Sequence, residues 1–263
     1  MGSNASGGRT APQGEDLEVI AGWLREAFKV VVLTGAGIST ESGIPDFRGR
    51  QGLWTTDPGA RRRATLDHYM SSRAARVEAW RMRMEHPARK VAPNAGRYAL
   101  ADLQRRGKLH TLITQNIDSL HQRAGTTPDV LVEIHGTIKE VVCMECGERT
   151  SMEAALGRVR AGEDDPSCRA CGGILKSATV SFGQNLVAGD LERARAAALS
   201  ADLFLAAGTS LSVFPAGYLP ALALDAGARL VILNAGPTRY DQRAHAVLRE
   251  PLGRVLPAIV DLV

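Results

Sequence analysis

The sequence lacks any apolar run approaching the ~20 residues needed to span a bilayer, so no membrane-crossing helix is expected. Its first 14 residues are rich in Gly, Ser, Asn and Pro and hold no apolar leader core. They read as a flexible tail, with nothing arguing for export. An excess of one charge is also missing. Lys and Arg number 32 against 28 Asp and Glu, a net charge of +4, too mild to require a polyanionic partner. The Arg-rich stretches 61–63 and 73–90 carry few interleaved aromatics, so they read as solvated helix faces rather than a nucleic-acid footprint. Repeats are absent, and so are low-complexity tracts beyond the tail. Cysteine is sparse as well, four residues confined to 143–171. The remaining composition, 44% hydrophobic and 23% charged over 263 residues, is that of a globular protein able to bury a core. The expected compartment is the cytoplasm.

Apolar spacing then orders the chain. Leu17, Ile20, Ala21, Leu24, Ala27 and Phe28 recur at helical intervals, predicting an amphipathic helix over 15–28. Short apolar runs predict strands at Val30–Leu33, His110–Thr114, Val130–Ile134, Ala178–Phe182, Leu203–Ala207 and Leu230–Leu233. Helical stretches follow at Leu191–Leu199, Pro215–Ala226 and Thr238–Leu248. This alternation predicts an α/β fold with a doubly wound parallel sheet. Ligands of such sheets sit beyond the carboxyl ends of the strands. Residues 15–49, 94–136 and 177–263 are assigned to the nucleotide-binding domain. Two insertions, 50–93 (helical) and 137–176, are expected to form a smaller domain over the crevice.

Directly after the first strand comes Thr-Gly-Ala-Gly-Ile-Ser-Thr-Glu-Ser-Gly-Ile-Pro-Asp-Phe-Arg-Gly, residues 34–49. A strand ending in Gly35-x-Gly37 turns sharply and offers backbone N–H groups to a pyrophosphate. Thr40 stands where a dehydrogenase fingerprint would place its third glycine, which disfavours hydride transfer. Asp46, Phe47 and Arg48 then put an acid, a ring and a guanidinium beside the phosphate element, as suits a nucleotide that reacts as well as binds. Further junctions carry Gln115-Asn116, His135-Gly136, Gly208-Thr209-Ser210 and Asn234-Ala235-Gly236. Two Cys-x-x-Cys pairs, Cys143/Cys146 and Cys168/Cys171, have the spacing of a four-thiolate zinc site. Four thiolates leave no position for water, so that zinc is expected to be structural.

These ordered motifs, from Gly35–Arg48 through Thr114–Asp118, His135-Gly136, the four cysteines and Gly208–Ser210, resemble those of the sirtuins, NAD-dependent protein lysine deacylases. The resemblance covers residues ~15–263 and implies a Rossmann-like sheet with an inserted zinc-binding module. It also implies NAD as a consumed co-substrate and acylated-lysine proteins as partners. The amide oxygen of the acyl-lysine would attack the nicotinamide ribose, and His135 would serve as general base on a ribose hydroxyl. Gly35, Ala36, Gly37, Arg48, Gly208, Thr209, Ser210, Asn234 and Ala235 would hold the phosphates and riboses. Asp46, Ile117 and Asp118 would border the nicotinamide, Phe47 would shield the reacting face, and Gln115 and Asn116 would contact the ribose. Asn116 and Asp118 count with His135 as catalytic; Asp118 is also suited to cap the helix after it. His121 reads as an ordinary solvated residue.

Peptide recognition in that family is by strand addition, which implies pairing with Val180, Phe182 and Gly183 on one side and Ser212 and Val213 on the other. Three departures stand out. Gln184 replaces a frequent acid after Phe-Gly, Arg97 replaces a frequent histidine and reads as structural, and Glu250-Pro251-Leu252 replaces small residues near the adenine. Trp80 and Arg83 lack the tyrosine that accompanies acidic acyl groups, which implies a short neutral acyl group, acetyl first. Mono-ADP-ribosyl transfer, deacylation of longer or acidic chains, and a non-enzymatic NAD-binding regulator are the alternatives.

Overall fold

The computed structural model describes residues 14–263. The expected tail lies outside them except for Gly14, which opens the first helix, Gly14–Glu26. Among the described residues nine strands form: β1 (Val30–Thr34), β2 (Leu109–Thr114), β3 (Leu131–Glu133), β4 (Gly136–Cys143), β5 (Arg149–Ser151), β6 (Leu175–Thr179), β7 (Leu203–Ala207), β8 (Arg229–Leu233) and β9 (Ala246–Leu248). The Val-Val-Val-Leu run of β1 is buried at every position, as a central parallel strand covered on both faces must be. It lies between β2 and β7 in an all-parallel sheet of order β3-β2-β1-β7-β8-β9.

Alternation along these strands builds two cores. Val30, Val32, Leu205 and Val231 face Leu24, Leu100, Leu103, Leu256 and Ile259 from the helices Gly14–Glu26, Ala95–Arg105 and Leu252–Asp261. Val31, Leu33, Phe204 and Ile232 face Ala194, Ala198, Leu219 and Ala223 from Ala188–Leu199 and Leu219–Asp225. The chain winds outward from β1 to β3, then returns beside β1 as β7 and winds the other way. The direction of winding therefore reverses between β1 and β7, where a crevice opens in folds of this kind.

A second, antiparallel sheet of order β5-β4-β6 carries its own core of Trp80, Val141, Met152, Leu156 and Leu175. It takes in Gly136 and residues 177–179, which the sequence reading assigned to the larger unit. The register jumps between Gly136, opposite Thr179, and Val141, opposite Ser177, so residues 137–140 bulge. The buried ammonium of Lys176 donates to the carbonyls of Ser177 and Thr179 just there. Desolvation lowers its pKa to about 8.

Three expectations are corrected. Residues 238–248 are not helical: the Thr238 hydroxyl and N–H both bond the Asp241 carboxylate, closing a turn, and Ala246–Leu248 then pairs with β8. Phe28 lies past the end of the first helix and is 91% exposed rather than packed. The run 178–182 is mostly irregular, its ordered part belonging to the small sheet as the end of β6. No described helix is long and apolar enough to cross a membrane.

Candidate active site

The turn after β1 and the turn after β7 touch. A Cβ on Gly37 would stand 2.8 Å from Gly208 Cα, one on Gly35 2.7 Å from Thr209 Cβ, and one on Gly208 2.4 Å from Ile38 N. Both turns thus need glycine for close approach, and Gly208 needs it as well for its φ of +64°. The Gly37 N–H is already donated to Gly208 O at 2.8 Å and that of Gly35 to Ala207 O. The Ala36, Thr209 and Ser210 N–H groups have no acceptor among the described residues. Two touching turns thus carry free backbone donors, a cradle suited to the phosphates of a dinucleotide.

Beside the cradle, Gln115 Nε2 donates to Thr209 Oγ1 at 2.9 Å and Asn116 Nδ2 to Gly35 O at 2.9 Å. Those bonds fix the two amides and leave Asn116 Oδ1 free to accept a hydroxyl. Asn234 is likewise oriented, its Nδ2 donating to Gly236 O and its own carbonyl accepting from Arg249. Ala235 is exposed beside it. Glu250 accepts from the Arg249 N–H, and Pro251 starts the last helix.

His135 follows β3 and is half-buried. Its Nδ1 lies 3.0 Å from Gln115 O. A carbonyl can only accept, so Nδ1 carries the proton and Nε2 keeps its lone pair. Burial lowers the pKa of this ring, the carbonyl bond opposing in part. The result is a neutral base of fixed tautomer.

Asp118 is in a different state. Its Oδ1 accepts from Arg97 NH1 at 3.1 Å and Leu120 N at 3.0 Å; its Oδ2 accepts from Arg97 NH2 and Ser39 Oγ, each at 2.7 Å. All four acceptor positions are filled from within the chain. Arg97 is wholly buried, and Ser39, which also accepts from it, ties this pair to Asn116. Asp118 was expected to cap the helix after it; the N-cap of Leu120–Arg123 is Ser119, and Asp118, one residue earlier, accepts from the first helical N–H. His121 is buried, not solvated: its Nε2 lies 3.0 Å from Thr34 Oγ1, and burial holds its pKa well below the ordinary value.

The loop after Pro45 is built by Asp46, whose carboxylate accepts from Gly49 N and whose carbonyl accepts from Leu53 N. It presents Phe47, 42% exposed, with its ring centroid 5.1 Å from that of Trp54; Trp54 lies 5.7 Å from Phe182. Arg48 stacks over the same indole at 4.4 Å. Trp54 and Phe182 line a cleft of about 410 Å³ together with Ser212, Val213 and Phe214. Ile117 accepts from Ile138 N through its carbonyl.

Of the residues expected to pair with a peptide, Val180 N donates to His135 O, while Phe182 N and O bond Ala64 O and Leu66 N. Those backbone groups are committed. Ser181 N donates to the Gln184 side chain, and its carbonyl accepts from Gln184 N. Gly183 keeps both backbone groups free among the described residues, as does Ser212 opposite; Val213 has accepted from Gly217 N. Trp80 is sunk in the small core, with Arg83 wedged over the rings of Tyr69 and Trp80 and bonded to Ser177. Ser39, Trp54 and Arg61 went unassigned in the sequence. Ser39 stood inside the motif two residues past Gly37, but nothing in the order of residues placed Trp54 beside Phe47.

The four cysteine Sγ atoms lie within 4.8 Å of one another, with Cys143–Cys171 at 3.5 Å and Cys146–Cys168 at 3.7 Å. Tetrahedral thiolates around zinc stand about 3.8 Å apart. Each pair closes the same turn: Gly147 N donates to Cys143 O and Gly172 N to Cys168 O, both glycines having positive φ. The cluster fits zinc, and four thiolates give it a structural role.

A Sir2 family model matches residues 35–215. An NAD-dependent protein deacetylase 2 of Streptomyces coelicolor is 48% identical over 231 residues, 88% of this chain and 96% of that protein. An NAD-dependent protein deacetylase 1 of Bradyrhizobium diazoefficiens is 41% identical over 246 residues, 93% and 95% of the two chains. Among solved structures, a Sir2 complex with a p53 peptide and NAD+ aligns with a TM-score of 0.82 at 32% identity, covering 93% of this chain and 97% of that one. Sir2 bound to an acetylated peptide aligns at 0.82 and 31%, with the same coverage.

Proposed function

The chain belongs to the Sir2 family and is an NAD-dependent protein deacetylase, and we propose that its cleft works through the residues described above. Acetyl-lysine, NAD and water give lysine, nicotinamide and O-acetyl-ADP-ribose. The observation that carries the residue assignment is the His135–Gln115 hydrogen bond, which leaves a basic Nε2 at the mouth of the crevice. His135 takes the proton of a ribose hydroxyl, whose oxygen then receives the acyl group. Ala36, Thr209 and Ser210 hold the pyrophosphate through backbone N–H groups, with Gly35, Gly37 and Gly208 allowing the approach and Arg48 adding charge. Asn116 orients the ribose, Gln115 braces the loop against Thr209, and Asn234 and Ala235 border the adenosine half. Phe47 covers the face from which nicotinamide leaves and keeps water from it. Asp46 and Ile117 shape that pocket. Asp118, its acceptor positions filled, organises Arg97, Ser39 and Asn116 and makes no bond to the cofactor.

An acyl-lysine enters past Trp54 and Phe182, its backbone pairing with Gly183 and Ser212. Val180, Phe182 and Val213 support that groove with their side chains. The acyl group is a short neutral one, acetyl first, as the relatives named deacetylases support. Residues 15–49, 94–136 and 177–263 supply the nucleotide side of the cleft, 50–93 and 137–176 the other, with β6 straddling the boundary. Thiolate-bound zinc suits a reducing compartment such as the cytoplasm.

The test mixes the protein with an acetyl-lysine peptide and NAD. Free lysine and nicotinamide should appear in equal amounts. His135→Ala should lower turnover by about 10²–10⁴-fold while NAD binding, followed by calorimetry, persists. ADP-ribose attached to protein without deacetylation would instead support mono-ADP-ribosyl transfer.

A further inference from the structure

The cleft lined by Trp54, Phe182 and Phe214 has an uneven charge. Two of its lining residues, Arg48 and Arg61, are cationic, and none is acidic. Arg61 lies 4.9 Å above the Trp54 ring on one wall. On the other, Arg239 lies 5.0 Å above the Phe214 ring that forms the rim. Each wall therefore carries an exposed guanidinium held over an aromatic that borders the groove. Neither Arg61 nor Arg239 makes an ion pair among the described residues.

Neighbouring arginines contrast with them. Arg63 is held by Asp57, and Arg249 by Asp241. The acids nearest in sequence to the two free arginines are thus largely occupied elsewhere, with Asp67 exposed beyond Thr65. Two residues past Phe182 of the lining stands a neutral amide, Gln184, whose side chain is folded onto Ser181 N. Arg48 shares the Trp54 wall with Arg61, and in the deacetylase reading above its charge serves the pyrophosphate of NAD. The charges of Arg61 and Arg239 are left for the peptide.

We propose that the groove selects acetyl-lysines flanked by Asp or Glu, with Arg61 reading one side of the lysine and Arg239 the other. The proposal rests on the deacetylase reading above and names its substrate class. A guanidinium held over a ring by a cation–π contact keeps N–H donors for a second partner, which suits a carboxylate approaching along the groove. The pairs would be solvent-exposed, so each contributes modestly and is weakened by salt.

Three peptides differing only in the residues flanking one acetyl-lysine, acidic, neutral amide or basic, test this at saturating NAD. The ratio of kcat/KM for the acidic over the neutral peptide should be about fivefold at low salt and shrink towards one at about 0.5 M salt. The basic peptide should be the poorest. Arg61→Gln and Arg239→Gln should each lower the acidic-to-neutral ratio, measured within the variant, and the double substitution should abolish it. Equal turnover of the three peptides, or a ratio that survives the double substitution, would overturn the proposal while leaving the deacetylase intact. If none of the three is deacetylated, the fault lies with the underlying reading instead. Circular dichroism of each variant confirms its fold.

Discussion

At the scale of single residues, protonation and hydrogen-bond capacity decide the roles. His135 could be located from the sequence because a histidine before glycine stood at a strand end; its tautomer could not, since that depends on a carbonyl 20 residues away. The ring must be neutral to accept a proton, and burial favours the neutral form. The acid limb of kcat/KM, which reports the free enzyme, should therefore lie below 6.5, the ordinary histidine value, with activity lost as pH falls through it. A limb centred above that value in a stopped-time assay would remove His135 from the role. Arg97 was legible as structural, yet its partner was not, because the pairing depends on two loops meeting. Replacing it by Met strands the Asp118 carboxylate in the interior, which should cost about 3–5 kcal/mol in urea unfolding. Adding Asp118→Asn should recover part of that loss.

At the scale of elements, β1, β2, β7 and β8 could be read from their apolar runs because both faces of each strand are buried. The segment 238–248 could not, since its apolar spacing fits either a helix or a turn plus strand, and the Thr238–Asp241 bonds decide. Helix Ala95–Arg105 also went unread, although Asn94 caps it, because Arg97 interrupts its apolar face yet is buried. The Gly-x-Gly turn was recognised as a phosphate element, while its contact with Gly208 needed the β1–β7 pairing. Gly37→Ala places a methyl group 2.8–3.0 Å from three Gly208 backbone atoms, so one turn must move. The NAD dissociation constant should rise at least about tenfold, since a fixed donor cradle binds by geometry. Isothermal titration measures this, and unchanged affinity would show that the cradle lies elsewhere.

At the scale of the molecule, the chain has two cores over the large sheet and a third, separate one around Trp80 and Leu156. The architecture was legible because strand and helix alternate over most of the length and both Cys-x-x-Cys pairs fall in one interval. The boundary near 177 was not, because β6 runs through it with no break in composition. The small sheet spans only three strands, so the metal contributes much of its stability. Stripping one zinc per chain with a strong chelator should abolish deacetylation. Far-UV circular dichroism should fall only by the small unit's share, the parallel sheet remaining. Retained activity in zinc-free protein would contradict that division of labour.

The filled carboxylate of Asp118 has a consequence for the proton inventory of the crevice. Arg97 keeps its proton at any pH at which the protein is folded. The His121 ring, pushed well below its ordinary value, stays neutral through the same interval. Of these three side chains, His135, Arg97 and His121, only His135 exchanges a proton as the solution passes from weakly acidic to neutral. Within this trio the acid limb therefore belongs to His135, with the arginine acting as a permanent counter-charge where a histidine would have added a further titration.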